Sequence, residues 1–136
     1  MKILQVETKG FTDIIDITSL VQKEVEKETI EEGIVFLFVL GSTASLTTIE
    51  NDENLYRDLK EMLEKIVPYS KNYHHHKTWG DDNGASHLKA SLFGPSLVIP
   101  VKNRKLYLGT WQRVVVIDFD TREREREIVI DFLKKQ

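Results

Sequence analysis

Ile34-Val35-Phe36-Leu37-Phe38-Val39-Leu40 is an unbroken apolar run between Gly33 and Gly41, rich in β-branched and aromatic side chains. A strand with one wet face would carry a polar residue at every second position. This run carries none, so it predicts the middle strand of a sheet, covered on both faces. Downstream, Gly41-Ser42-Thr43-Ala44-Ser45 reads as a turn and residues 46–50 as a short strand. Leu55, Leu59, Met62, Leu63 and Ile66 then fall at helical spacing, with Asp52 and Glu53 at the positive end of the dipole and Pro68 as a stop. Upstream, residues 3–8 and 11–17 alternate about Gly10 and predict a β-hairpin. Ser19-Leu20-Val21-Gln22 fits a capping box opening a helix that Gly33 would end.

Residues 69–85 show no periodicity but hold three histidines, Trp79 and two aspartates. An irregular segment of that length in a small domain is where chemistry concentrates. Beyond it, residues 88–92, 96–101, 105–108 and 113–119 read as successive strands of an antiparallel meander, joined by Gly94-Pro95, Lys102-Asn103-Arg104 and Gly109-Thr110. Residues 122–133 read as a last strand with Arg122, Arg124 and Arg126 on one face and Glu123, Glu125 and Glu127 on the other. Strands outnumber the two helices and do not alternate with them as βαβ, which predicts an α+β fold, mostly antiparallel.

With 136 residues the chain predicts a single domain, 1–136. Nineteen basic against twenty-two acidic residues leave a net charge of −3, which disfavours binding to nucleic acid. No apolar run approaches the ~20 residues that span a bilayer, and no leader pattern opens the chain, so the expectation is a cytoplasmic protein with no membrane partner. The absence of cysteine removes disulfides and thiolate chemistry and leaves His, Asp and Glu as the only strong metal donors.

Tyr73-His74-His75-His76 and, further on, Ser86-His87 are the sharpest chemical feature. Neutral imidazole ligates first-row metals, and Asp81 or Asp82 could complete a shell or fix a tautomer. Adjacent histidines point in different directions, so at most one or two of the three can reach one ion; the alternative is a solvated loop. Glu50, ending a strand before a helix, is a candidate base or ligand, or simply an acid at a helix dipole. Ser42 and Thr43 could offer hydroxyls to an oxyanion, or form an ordinary turn. Trp111 could wall a pocket with Thr110 and Gln112, or lie in a core or subunit interface. The C-terminal arginine face, Arg126 included, could hold an anionic substrate or form an ion-paired surface.

Gly41-Ser42-Thr43-Ala44-Ser45-Leu46-Thr47-Thr48-Ile49-Glu50, Tyr73-His74-His75, the stretch from Trp79-Gly80-Asp81-Asp82-Asn83-Gly84 through Ser86-His87-Leu88-Lys89-Ala90, Gly94-Pro95-Ser96-Leu97 and Leu108-Gly109-Thr110-Trp111-Gln112 occur in this order. Together they resemble the YjbQ-like family, described as secondary thiamine-phosphate synthase enzymes. The resemblance implies a mixed, mostly antiparallel β-sandwich with two main helices, assembled as a homotrimer with clefts between subunits. It implies a phosphorylated small-molecule substrate and a divalent metal ion, zinc or magnesium. His75 and His87 would be metal ligands or acid–base groups, and Glu50, Asp81 and Asp82 the supporting carboxylates. Ser42, Thr43, Asn83, Ser86, Thr110, Trp111, Gln112 and Arg126 would contact substrate. Many bacterial members carry His-Thr-Ser or His-Thr-Thr where this chain has Gly41-Ser42-Thr43, so the site here leans on His75 and His87. The competing expectation is a non-catalytic homotrimer that binds a metal ion or metabolite.

Overall fold

A computed structural model describes all 136 residues. The chain runs β1 (Lys2–Thr8), β2 (Asp13–Asp16), α1 (Thr18–Glu28), β3 (Glu32–Val39), β4 (Ala44–Ile49), α2 (Glu53–Ile66), α3 (His76–Trp79), α4 (Gly84–Phe93), β5 (Ser96–Lys102), β6 (Lys105–Leu106), β7 (Arg113–Asp118) and β8 (Arg124–Lys134). A five-stranded sheet has the order β1-β8-β3-β5-β6 and a three-stranded sheet the order β2-β7-β4, with every pairing antiparallel.

The apolar run of β3 is the middle of the larger sheet, as its composition requires. Val35, Leu37 and Val39 point inward and meet Ile128 and Ile130 of β8, Ile99 and Val101 of β5, Val114 and Val116 of β7, and Val21 and Val25 of α1. Each such side chain contributes ~1.5–3 kcal/mol on leaving water. The opposite face of β3 is less covered than the sequence suggests. Phe36 keeps 37% of its surface, and its apolar neighbours on that face include Phe38 and the cross-strand residues Val98, Val129 and Leu133.

Full coverage on both faces belongs instead to β7. Val114 and Val116 enter the core between the sheets, while Val115 and Ile117 join Phe119, Leu63 of α2 and Ala90 of α4 in a second cluster. The molecule is therefore layered as large sheet, small sheet and helix pair, and this layering places α4 against β4.

Four sequence expectations are corrected. Residues 88–92 lie inside helix α4, so the chain has three substantial helices rather than two and the meander is shorter. Residues 3–8 and 11–17 do not form a hairpin: β1 pairs with β8 and β2 with β7, in different sheets. The chain changes sheet at Phe11 and Thr12, both in the left-handed region at φ 53° and 65°, where the Phe11 N–H donates to Asp120 O at 2.7 Å. No side chain of a capping box closes α1; the Thr18 N–H is satisfied by Asp16 Oδ1 at 2.9 Å. That helix ends at Thr29, and Gly33 lies in β3, where a Cβ would come within 2.2 Å of Leu133 O on the paired strand. Helix α2 follows its expectation, with the Asp52 carboxylate accepting from Asn54 N and Leu55 N.

Candidate functional site

The segment between α2 and α4 is tied at both ends. Tyr69 begins it: its hydroxyl donates to Phe119 O at 2.8 Å, and Glu64 Oε2 accepts from its N–H at 3.3 Å. Tyr73 donates from its hydroxyl to Pro68 O at 2.6 Å and sets its ring edge-on to His76. His76 then accepts the first N–H of α4, Gly84 N to Nε2 at 3.0 Å, so its neutral ring carries the proton on Nδ1. Residue 84 has to be glycine for this contact, because a Cβ there would lie 2.8 Å from Tyr73 Cβ and 3.0 Å from that Nε2.

Between those ties, His75 from the start of the single-turn α3 and His87 from α4 face each other with ring centroids 4.7 Å apart. Asp81 Oδ1 lies 3.8 Å from His75 Nε2. Both imidazoles are half-buried. Asp82 is directed elsewhere, accepting from Thr121 Oγ1 at 3.1 Å, and His74 is exposed. The sequence left Asp81 and Asp82 as alternatives; the geometry brings only Asp81 to the pair.

His87 also lines a cleft of about 590 Å³ with Phe38, Gly41, Ser42, Ser91 and Pro95. Ser42 and His87 thus share one opening, although they are 45 residues apart in sequence. Thr43 lies beneath the turn. Its hydroxyl accepts from Arg126 Nη2 at 2.6 Å and donates to Asp120 Oδ2 at 3.1 Å. Arg126 is buried, doubly bonded to Asp118 at 2.7 and 2.9 Å, and Thr8 donates to the same carboxylate. Burial alone would raise the Asp120 carboxyl, but the Thr121 N–H, Arg124 and Thr43 outweigh it and hold it below the usual range. The arginine face read from the sequence is therefore not a solvated surface at Arg126. Its Nη1 takes the space of a side chain at Gly41, where a Cβ would come within 2.5 Å.

The remaining candidates do not join this cluster within one chain. Glu50 follows the far end of β4, and Gln112 Nε2 donates to Thr48 Oγ1 at 3.1 Å at that same end. The six residues of β4 span roughly 20 Å at about 3.3 Å per residue. Thr110 and Gln112 line a different cleft with Lys23, Lys105 and Arg113, and Trp111 keeps 72% of its surface. Asn83 Oδ1 and Ser86 Oγ, at the start of α4, are buried with no hydrogen-bond partner.

Sequence reading missed Lys89, Glu64 and Tyr69. Lys89 is wholly buried on α4, its amine donating to Glu64 and lying 3.3 Å from the centre of the Tyr69 ring. Burial pushes this amine down and Glu64 partly restores it; burial likewise pushes the Tyr69 hydroxyl up to about 12. A lysine within the apolar stretch at residues 88–92 was the available signal.

Two imidazoles and a carboxylate have the donor chemistry of a divalent-cation site with open positions for water or substrate. The structure does not gather three His, Asp or Glu side chains closely enough to enclose an ion.

The architecture defines an α+β sandwich carrying a histidine-bearing segment at one end of the smaller sheet. The sequence pattern of the family described as UPF0047 protein YjbQ-like matches residues 2–135, and the chain belongs to this family. A UPF0047 protein of Archaeoglobus fulgidus is 40% identical over 126 residues, covering 93% of this chain and 96% of the relative. YugU of Bacillus subtilis is 31% identical over 121 residues, 88% of this chain and 89% of its own. Among solved structures, a yjbq/upf0047 family protein of Clostridium acetobutylicum superposes with a TM-score of 0.89 at 33% identity, covering 98% of this chain and all of that one. A protein of Sulfolobus solfataricus described as YbjQ-like gives 0.88 at 30% identity, covering 98% and 97%.

Proposed function

We propose that the protein is an enzyme acting on a small phosphorylated metabolite in the cleft beside His75, Asp81 and His87. The observation that carries this reading is the meeting of two imidazoles from separate elements, 4.7 Å apart, beside a carboxylate and an open cleft. His75 and His87 would supply two ligands to a divalent cation, zinc or magnesium, whose other positions stay open to water or substrate, and which when bound would supply positive charge to a phosphate or pyrophosphate group. Asp81, 3.8 Å from His75 Nε2, orients that ring. Without an ion, His87 would instead be the group that gives or takes a proton at the cleft mouth; in either case Ser42 offers a hydroxyl to a phosphoryl oxygen. Thr43 and Arg126 hold the turn that presents Ser42.

Within this reading the proposed reaction is thiamine-phosphate synthesis as a secondary activity. The thiazole phosphate nitrogen attacks the methylene carbon of the pyrimidine diphosphate, a C–N bond forms, and the C–O bond breaks. Pyrophosphate leaves with the electron pair, and the quaternised ring nitrogen needs no proton loss. Charge accumulates on the leaving group, so a cation and hydrogen-bond donors there lower the barrier.

The proposal includes a homotrimer. The outer face of the larger sheet leaves Phe36, Val98 and Leu133 exposed, the kind of patch that a second copy covers. A neighbouring subunit would also be the source of Glu50, Thr110, Trp111 and Gln112 at the cleft, since those residues lie at the other end of β4. The test combines the synthase assay with light scattering on the wild type, His75→Ala and His87→Ala. The expected result is a trimer throughout and turnover only in the wild type. Equal turnover in all three would reject the histidine site; a trimer that takes up metal without turnover would make it a binding protein.

A further inference from the structure

The buried contact of Lys89 with Glu64 and Tyr69 has no counterpart among the groups assigned above. The side chain is 0% exposed, although lysine is among the residues least often buried. Its amine has two partners. Glu64 of α2 accepts from it, and the Tyr69 ring lies beneath it at 3.3 Å to the centroid. Both partners are fixed to something else. The other oxygen of Glu64 accepts from the Tyr69 N–H at 3.3 Å, and the Tyr69 hydroxyl reaches Phe119 O and Thr12 Oγ1 at 2.8 and 3.2 Å. One ammonium therefore ties together the end of α2, the first residues of the histidine-bearing segment, and α4.

The place of this tie along the chain gives its consequence. Lys89 lies two residues after His87 on α4, and Tyr69 lies six before His75. The second tie between the same two pieces is His76 to Gly84, at the helix start. His75 and His87 meet between the two ties. Helix α4 is itself held against β4, where Ser45 Oγ donates to Ala90 O at 2.6 Å, so it is the histidine-bearing segment that would shift if one of its two ties to α4 were lost, and the ring-to-ring distance would vary with it.

We infer that Lys89 is a positioning residue: its contacts with Glu64 and Tyr69 set the distance between His75 and His87 and so tune the proposed metal site. This rests on the reading that these two imidazoles are the working pair. Removing the amine leaves no stranded buried charge, because Glu64 is 46% exposed at its side chain and can hydrate. The loss is therefore of geometry more than of fold.

The experiment uses the full-length protein with 13C-labelled histidine. It measures the NOE between the His75 and His87 ring protons without added metal, and then Co2+ affinity from d–d absorption. Lys89→Met and Tyr69→Leu remove the ammonium and its aromatic seat, Tyr69→Phe keeps the seat, and Val25→Ala in α1 is a control destabilised far from the site. Expected is a strong NOE in the wild type, in Tyr69→Phe and in Val25→Ala. In Lys89→Met and Tyr69→Leu the NOE should be lost and Co2+ should bind about 10- to 100-fold more weakly, the range for groups that orient metal ligands. Should Lys89→Met fail to fold, Tyr69→Leu carries the same test. An intact NOE and unchanged affinity in the folded variant would overturn the inference, as would equal losses in Val25→Ala. A wild type with neither NOE nor Co2+ binding would instead sink the site itself.

Discussion

Replacing Arg126 by methionine removes a guanidinium that is bonded twice to Asp118 and once to Thr43. The methionine fills most of the volume, so packing loss is minor. The cost comes from Asp118, which is wholly buried and would keep Thr8 and the Asp120 N–H as donors but lose its counter-charge. Breaking a buried pair from one side costs ~3–5 kcal/mol. With a urea m-value of about 2 kcal/mol/M, the midpoint should fall by roughly 2 M. Measurement at one fixed protomer concentration removes any contribution from association. The double variant Arg126→Met/Asp118→Asn no longer buries an unpaired charge and should recover more than half of the loss. A single-variant shift below about 0.5 M, or a double variant no more stable than the single, would refute the account of this network.

Asp120 makes a related prediction in pH. Its folded pKa lies below the ordinary 3.8, so its stabilisation is present above that value and is lost as pH falls through the folded value. Asp120→Asn should therefore melt at a lower temperature than the wild type at pH 6, with the gap closing as pH falls below 3.8 and through the folded value; a gap constant with pH would contradict this. At the histidine segment, Gly84→Ala places a methyl group against Tyr73 and His76 and should cost about 1–3 kcal/mol by chemical denaturation, whereas Gly80→Ala meets no atom within 4 Å and should cost only its left-handed φ.

The sequence displayed the larger sheet well because β3 and its partners obey simple patterns. Residues 34–40 are apolar throughout, and the alternation of β8 survives into the structure with Arg126, Ile128 and Ile130 facing inward. Helix α4 was hidden for a physical reason. Its buried positions are Gly84, Ala85, Ser86, Lys89 and Ala90, a helical face made of small and polar residues, so the visible apolar pattern at residues 88–92 came from side chains that point partly to solvent. The false hairpin arose because alternation shows a strand but not its partner, and the sheet change at Phe11 and Thr12 uses residues that do not advertise a left-handed turn. At the candidate site, the pairing of His75 with His87 followed from family resemblance rather than spacing. The split between that pair and Glu50, Thr110, Trp111 and Gln112 was invisible, because only the length of β4 separates them.

Calorimetric titration of chelator-treated, untagged protein with Zn2+ tests the central claim most directly, comparing the wild type with His87→Ala. The account predicts one ion per subunit in the wild type and none in the variant, with both proteins equally folded. A wild type that binds no ion, or a variant that binds with unchanged affinity and stoichiometry, would contradict it.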